Sequence, residues 1–166
     1  MTALLEKALR SDRALAMAEE RLIRRARELY RLGFSPANLA PSQMAAVGEL
    51  LCTASNRKGA QAAIETWMSN QLKKLREEAE RKGKKPRSWL VPPGPGGSTG
   101  SLGEELLAWI KDDAYLGEPL AGDLDRLGAL RRFWERLHGF YRYENETGGE
   151  MPLSALDLQE EGGEPR

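Results

Sequence analysis

His138 and Cys52 are the one histidine and the one cysteine of the chain, and they bound the chemistry open to it. Hydrolytic and redox enzymes bring a nucleophile to a base, or three to four ligands to a metal. One imidazole and one thiol cannot complete a thiolate zinc site, and no disulfide can form within the chain. Cys52 is expected to be a buried, inert thiol. His138 falls beside the apolar positions of the last helical pattern, where a structural or surface role is expected. The pairs Glu104-Glu105 and Asp112-Asp113 carry the oxygen ligands that divalent cations take. Their places at the start and end of a helical pattern instead read as solvated helix termini. The run PGPGGSTG ending at Gly100 lacks the G-x-x-x-x-G-K-[ST] spacing of a phosphate loop and follows no apolar strand. The residues thus point to a protein that binds rather than transforms, with no catalytic residue, metal or cofactor expected.

The signal that remains is cationic. Residues 71–88 carry 8 basic and 3 acidic groups, among them Lys73, Lys74, Arg81, Lys82, Lys84, Lys85 and Arg87, with Trp89 directly after. Cations at a helix end suit phosphate contacts, and a neighbouring indole suits stacking on an unpaired base. A second group, Arg126, Arg131, Arg132, Arg136 and Arg142, brackets the aromatic stripe of the last helix. Arg131, Arg132 and Arg136 are its candidate backbone contacts. The plainer account is two solvated helix faces, with Glu77, Glu78 and Glu80 forming weak pairs at i,i+4. The net charge of zero conceals acidic blocks as well, 7 acidic to 1 basic over residues 101–125 and the same ratio over 144–166. A chain that bound only nucleic acid would gain nothing from them. Complementary charge along an assembly explains both signs, because the acidic face of one subunit can meet the basic face of the next.

These residues must be positioned by helices. Leu15, Ala18, Leu22, Ala26 and Leu29 recur at three and four between Asp12 and Leu32, and Gly33 with the following prolines is expected to end that helix. Ser42 is the expected N-cap of a short helix with Met44, Val47, Leu50 and Leu51 inward. A long helix over about 56–81 buries Ala60, Ile64, Trp67, Met68, Leu72, Leu75 and Ala79. Residues 83–100, rich in glycine and proline, read as an irregular loop. Ser101 and Glu104 have capping-box spacing and open a helix with Leu102, Leu106, Trp109 and Ile110 inward. The last helix starts near Asp123 or Asp125 and carries Leu127, Leu130, Phe133, Trp134, Leu137, Phe140 and Tyr141 on one face. No strand-like alternation occurs, so the expected fold is all-α: a compact bundle of about five helices over 1–143, followed by an acidic, flexible tail at 144–166.

With 40% hydrophobic and 30% charged residues the chain supports a modest core under a charged surface. No apolar run approaches the roughly 20 residues that span a bilayer, and the N-terminus lacks a signal-peptide core. A cytoplasmic location without membrane contact is the expectation.

The segment Leu51 to Met68, LCTASNRKGAQAAIETWM, resembles the small all-helical subunit of Cmr-type CRISPR effector complexes, through Ser55, Asn56, Gly59, Gln61, Ala62 and Ala63. LLAWI at 106–110 resembles that family's leucine-tryptophan helix, and RLGALRRFWERLHGFYRYE resembles its C-terminal helix and the aromatic closing helix of the related Csm-type subunit. The resemblance extends over roughly 42–143. The chain departs from it where Arg57 and Lys58 displace the glycine after asparagine and in the length of the 83–100 connector. The resemblance implies a non-catalytic subunit repeated along a ribonucleoprotein filament. Its implied partners are the backbone of guide and target RNA or single-stranded DNA, the neighbouring effector subunits and further copies of itself, with sequence left to base pairing.

Overall fold

The computed structural model describes residues 2–37, 39–83, 85–94, 100–116 and 125–147. Five helices of two or more turns account for most of them: α1 (Ala3–Leu29), α2 (Pro41–Thr53), α3 (Arg57–Lys82), α4 (Leu102–Lys111) and α5 (Arg126–Thr147). No strand occurs among the described residues. The protein is an all-α bundle, as the periodicity predicts.

Each helix starts for a local reason. Thr2 accepts the Leu5 amide, Asn56 the Gly59 amide, Ser101 the Glu104 amide and Asp125 the Gly128 amide, so four of the five carry a side-chain N-cap. The expected Ser42 cap is absent, because α2 begins two residues earlier than that cap requires, on Pro41, whose fixed φ suits the first helical position. Gly83 closes α3 in the left-handed region at φ 62°, where a side chain would be strained.

α1 differs from expectation at both ends. It begins at Ala3, and its first turns are exposed, leaving Leu4 at 81% of its accessible area. At the other end winding does not stop at Gly33: a π-helical turn, Tyr30–Phe34, and one α-turn, Ser35–Ala37, continue it. The wider turn brings Tyr30 and Phe34 into the core together. Gly33 serves close packing instead, since a Cβ there would lie 2.5 Å from Leu102 Cδ1 at the start of α4.

α1 and α5 pack along each other, α2 lies against α5, and α4 crosses α3. The α3–α4 crossing is close because a Cβ at Gly103 would fall 2.8 Å from Met68 Sδ. The expected inward residues of α1, α4 and α5 are all buried, whereas Leu50, Trp67, Leu75 and Ala79 are half-buried. Aromatic rings knit the core: Phe34 meets Trp89 edge-on at 5.7 Å and Trp134 at 5.9 Å, and Phe133 stacks with Trp109 at 6.0 Å.

The described part of the 83–100 connector, residues 85–94, is tied to the bundle. A 3-10 turn at Ser88–Leu90 inserts Trp89, the Gly94 amide donates to the Leu32 carbonyl at 2.7 Å, and the Leu102 amide donates to the Val91 carbonyl at 2.8 Å. α5 continues through Thr147, four residues beyond the expected boundary, and the rest of the predicted tail lies outside the described residues. No helix among the described residues is long and apolar enough to cross a membrane.

Candidate nucleic-acid interface

The two basic clusters have different surroundings. Lys73 and Lys74 are exposed on α3, and Arg81 and Lys85 are exposed at and beyond its end. None of these four makes an ion pair or hydrogen bond among the described residues. Lys82 and Arg87 share Glu78, at 3.5 and 2.9 Å, and the hydrogen bond from Arg87 holds the Glu78 carboxyl below its ordinary pKa. Such exposed pairs exchange readily for other anions, being worth little in water. Arg76 in the same stretch pairs with Glu104 of α4 at 3.2 Å. Lys84 lies outside the described residues.

Trp89 is a correction. It is 0% exposed, donates its indole N–H to Gln43 Oε1 at 2.8 Å and packs edge-on against Phe34 and Trp67. A ring held on both sides by aromatics, with its polar atom satisfied, has no face to offer a base. Proximity in sequence to the cations is misleading because the 3-10 turn at 88–90 points the indole inward while Arg87 stays outside.

The arginines of α5 also depart from expectation. Arg131 reaches α2 and donates to three carbonyls at its C-terminal end, Leu51 at 2.8 Å, Cys52 at 3.3 Å and Ala54 at 2.9 Å. A cation over the negative end of a helix satisfies carbonyls that the helix cannot. Arg131 is therefore a C-terminal cap for α2 rather than a free phosphate contact. Arg136 grips Glu19 of α1 through Nε and Nη2, and Arg132 approaches the same carboxylate at 3.5 Å. Both are half-occupied by that acid, so as a nucleic-acid surface the α5 group is weaker than its composition suggests. Arg126 pairs with Asp113, and Arg142 is exposed.

Arg57, which the charge pattern does not single out, matches Arg131 at the other helix end. It donates to the Ile110 carbonyl, to the Lys111 carbonyl at 3.1 Å, to Asp113 at 2.9 Å and to Gln61 at 2.8 Å. Burial works against its charge, but hydrogen bonds with Tyr115 and the charge of Asp113 raise its pKa overall. Burial, then Asp113, pushes the Tyr115 hydroxyl up. A signal did exist in the sequence: acids at the C-terminal end of a helix oppose its dipole, so Asp112-Asp113 required a cation from elsewhere. Arg25 completes this set by donating to the Ala114 carbonyl at 2.8 Å while lying 4.4 Å over the Trp109 ring.

Several of the described acids of the 101–125 block are accordingly engaged inside the protomer. Glu105 is buried and accepts the Trp109 indole N–H at 2.9 Å, Asp113 joins Arg57 and Arg126, and Glu104 accepts from Ser101 and Arg76. The expected exposed acidic face is thereby reduced among the described residues. Cys52 is likewise not buried as expected but exposed at the end of α2. His138 is half-buried, and burial followed by the charge of Arg142 lowers its pKa. Among the described residues no three histidine, cysteine or acidic side chains gather where they could hold a metal ion. No family model, curated protein or solved structure matches the chain.

Proposed function

We propose that this protein is a non-catalytic, RNA-associated small subunit of a CRISPR-type ribonucleoprotein effector, holding nucleic-acid backbone on the C-terminal edge of α3. The observation that carries the reading is the group Lys73, Lys74, Arg81 and Lys85, four exposed cations without a partner among the described residues, on a chain whose other arginines are widely paired. Charge left unneutralised on one edge of a protein of zero net charge favours a polyanion there. The likeness of 51–68, 106–110 and 126–144 to Cmr- and Csm-type small subunits supports the same reading. The partners proposed are guide and target RNA or a single-stranded DNA, with neighbouring subunits and further copies of the chain on the helical surfaces.

A second reading, a helical adaptor without nucleic acid, rests on the exposed Leu4, Leu5, Leu9 and Met17 of α1, which suit a protein partner. Salt-dependent binding of a single-stranded RNA separates the two. Replacing Lys73, Lys74, Arg81 and Lys85 by Gln is expected to weaken affinity at low salt and to flatten the slope of log K against log salt by about 3, from roughly 0.7 per lost contact. Unchanged affinity and slope would remove nucleic acid from this edge. Native mass spectrometry of the protein purified from its own cells, with co-purifying RNA and subunits identified, tests the assembly.

A further inference from the structure

Trp67 is the open member of the four tryptophans. Trp89, Trp134 and Trp109 are 0%, 4% and 7% exposed, whereas Trp67 is half-buried. Their indole N–H groups differ in the same way. Trp89 and Trp109 each donate to a side-chain oxygen, and the N–H of Trp134 is orphaned beneath α2, where a Cβ at Gly48 would lie 3.3 Å from it. The Trp67 N–H makes no hydrogen bond among the described residues, yet it is not sealed from solvent. A ring that the fold neither encloses nor satisfies is available to a ligand.

Position on the helix sets the kind of ligand. Seven residues fall about 20° short of two helical turns, so Trp67, Lys74 and Arg81 lie on one stripe of α3, about 10 Å apart along its axis. Asn70 is exposed between the first two. On the other side of the stripe the connector is fastened to α3: Trp89 meets Trp67 edge-on at 5.9 Å, and Arg87 bonds Glu78 at 2.9 Å. The indole thus leans on the core through Trp89 and stands in line with two cations that have no partner among the described residues. An aromatic ring beside a track of phosphate-binding cations is the arrangement that holds unpaired strands, with a base on the ring and the backbone along the charges. A duplex would serve the cations equally well, but its bases stay stacked on one another and leave nothing for the indole.

We infer that Trp67 is the base platform of a single-strand site on α3, with one unpaired base stacked against its open side and the adjoining backbone laid along Lys74 and Arg81. The inference rests on the reading of the α3 edge and sharpens it, since cations alone take any polyanion whereas the indole demands an unpaired base.

Because the other three tryptophans are buried, quenching of the intrinsic fluorescence reports on Trp67, and its loss in Trp67→Phe assigns the signal. An adenosine decamer is expected to quench it at low salt. The same decamer made of DNA separates the two kinds of strand, and quenching by either supports the platform. An abasic decamer and poly-glutamate, which offer charge without bases, should leave the fluorescence unchanged. Affinities are read from the anisotropy of a dye-labelled decamer. Trp67→Leu should lower affinity about five- to a hundredfold and keep the wild-type salt slope, because stacking releases no counterion. Trp67→Phe keeps a ring for the base and for Trp89, and it should retain most of the affinity. Binding without quenching, equal quenching by the abasic strand, or equal losses in the Phe and Leu variants would each overturn the platform. A steep salt slope with wild-type affinity in Trp67→Leu would leave the cationic edge standing and the platform refuted. An unchanged slope in the quadruple α3 variant, with the Trp67→Leu loss still present, would remove the cations and keep the base platform. No binding of either decamer by the wild type would overturn both.

Discussion

The arginines of α5 and the lysine-rich end of α3 carry the same charge on the same kind of element, yet their surroundings differ. Arg131, Arg132 and Arg136 stand where neighbouring helices present carbonyls or a carboxylate within reach, at Leu51, Cys52, Ala54 and Glu19. Lys73, Lys74, Arg81 and Lys85 are exposed on α3 and just beyond it, and make no ion pair among the described residues. A cation at a helix junction is fastened to the fold, whereas one on an outer edge remains available to a partner. Side-chain type agrees with position except at Arg81. The planar fork of arginine serves several acceptors at once, and the lysine ammonium stays hydrated on a flexible stem.

The comparison breaks most visibly at the junctions. Arg131→Met removes the donors that serve three carbonyls and is expected to destabilise the protein by about 2–3 kcal/mol, read as a lowered denaturation midpoint. The quadruple Gln variant of the α3 edge should stay within about 0.5 kcal/mol of wild type in the same assay. Equal losses from both would erase the distinction. Arg57→Met should cost about 1–3 kcal/mol, because Asp113 is then left at the wrong end of α4 with only the exposed Arg126. Combining it with Asp113→Asn should recover part of that loss, which a double-mutant cycle measures.

Glu19→Gln sharpens the contrast from the other side. It releases Arg132 and Arg136 at a cost of about 1 kcal/mol or less, since Arg132 is largely exposed. RNA affinity should rise in this variant if internal pairing is what keeps these arginines from phosphate. The smallest effect concerns His138, whose folded pKa lies below its ordinary value of 6.5. Above pH 6.5 both folded and unfolded forms are neutral there and the contribution is level. As pH falls below that value the unfolded chain takes up the proton first, so stability declines toward the folded pKa. Melting temperature followed from pH 7.5 to 5.5 should show this slope, and His138→Gln should reduce it.

The fold was largely legible from spacing. The apolar sets of α1, α4 and α5 are buried as read, and Ser101 and Asn56 begin their helices where capping chemistry places them. A three-or-four repeat has one geometric solution, a helix with one buried face, and capping is satisfied within a few residues. The candidate site was much less legible. Trp89 looked like a base-stacking platform from its neighbours in sequence, but Phe34, Gln43 and Trp67 enclose it. Cys52 sits late in an apolar helix and still faces outward.

What the residues decide alone is thus which faces are apolar and where helices begin. Tertiary structure decides which charges are paired. Arg57 meets Asp113 across 56 positions, Arg131 meets Leu51 across 80 and Arg136 meets Glu19 across 117. The orphaned indole of Trp134 belongs to the same class, since its want of an acceptor depends on α2 packing over it at Gly48. Helix formation and capping act within a turn or two of chain, whereas pairing and cavity shape depend on which helices lie side by side, and that is set only when the bundle closes.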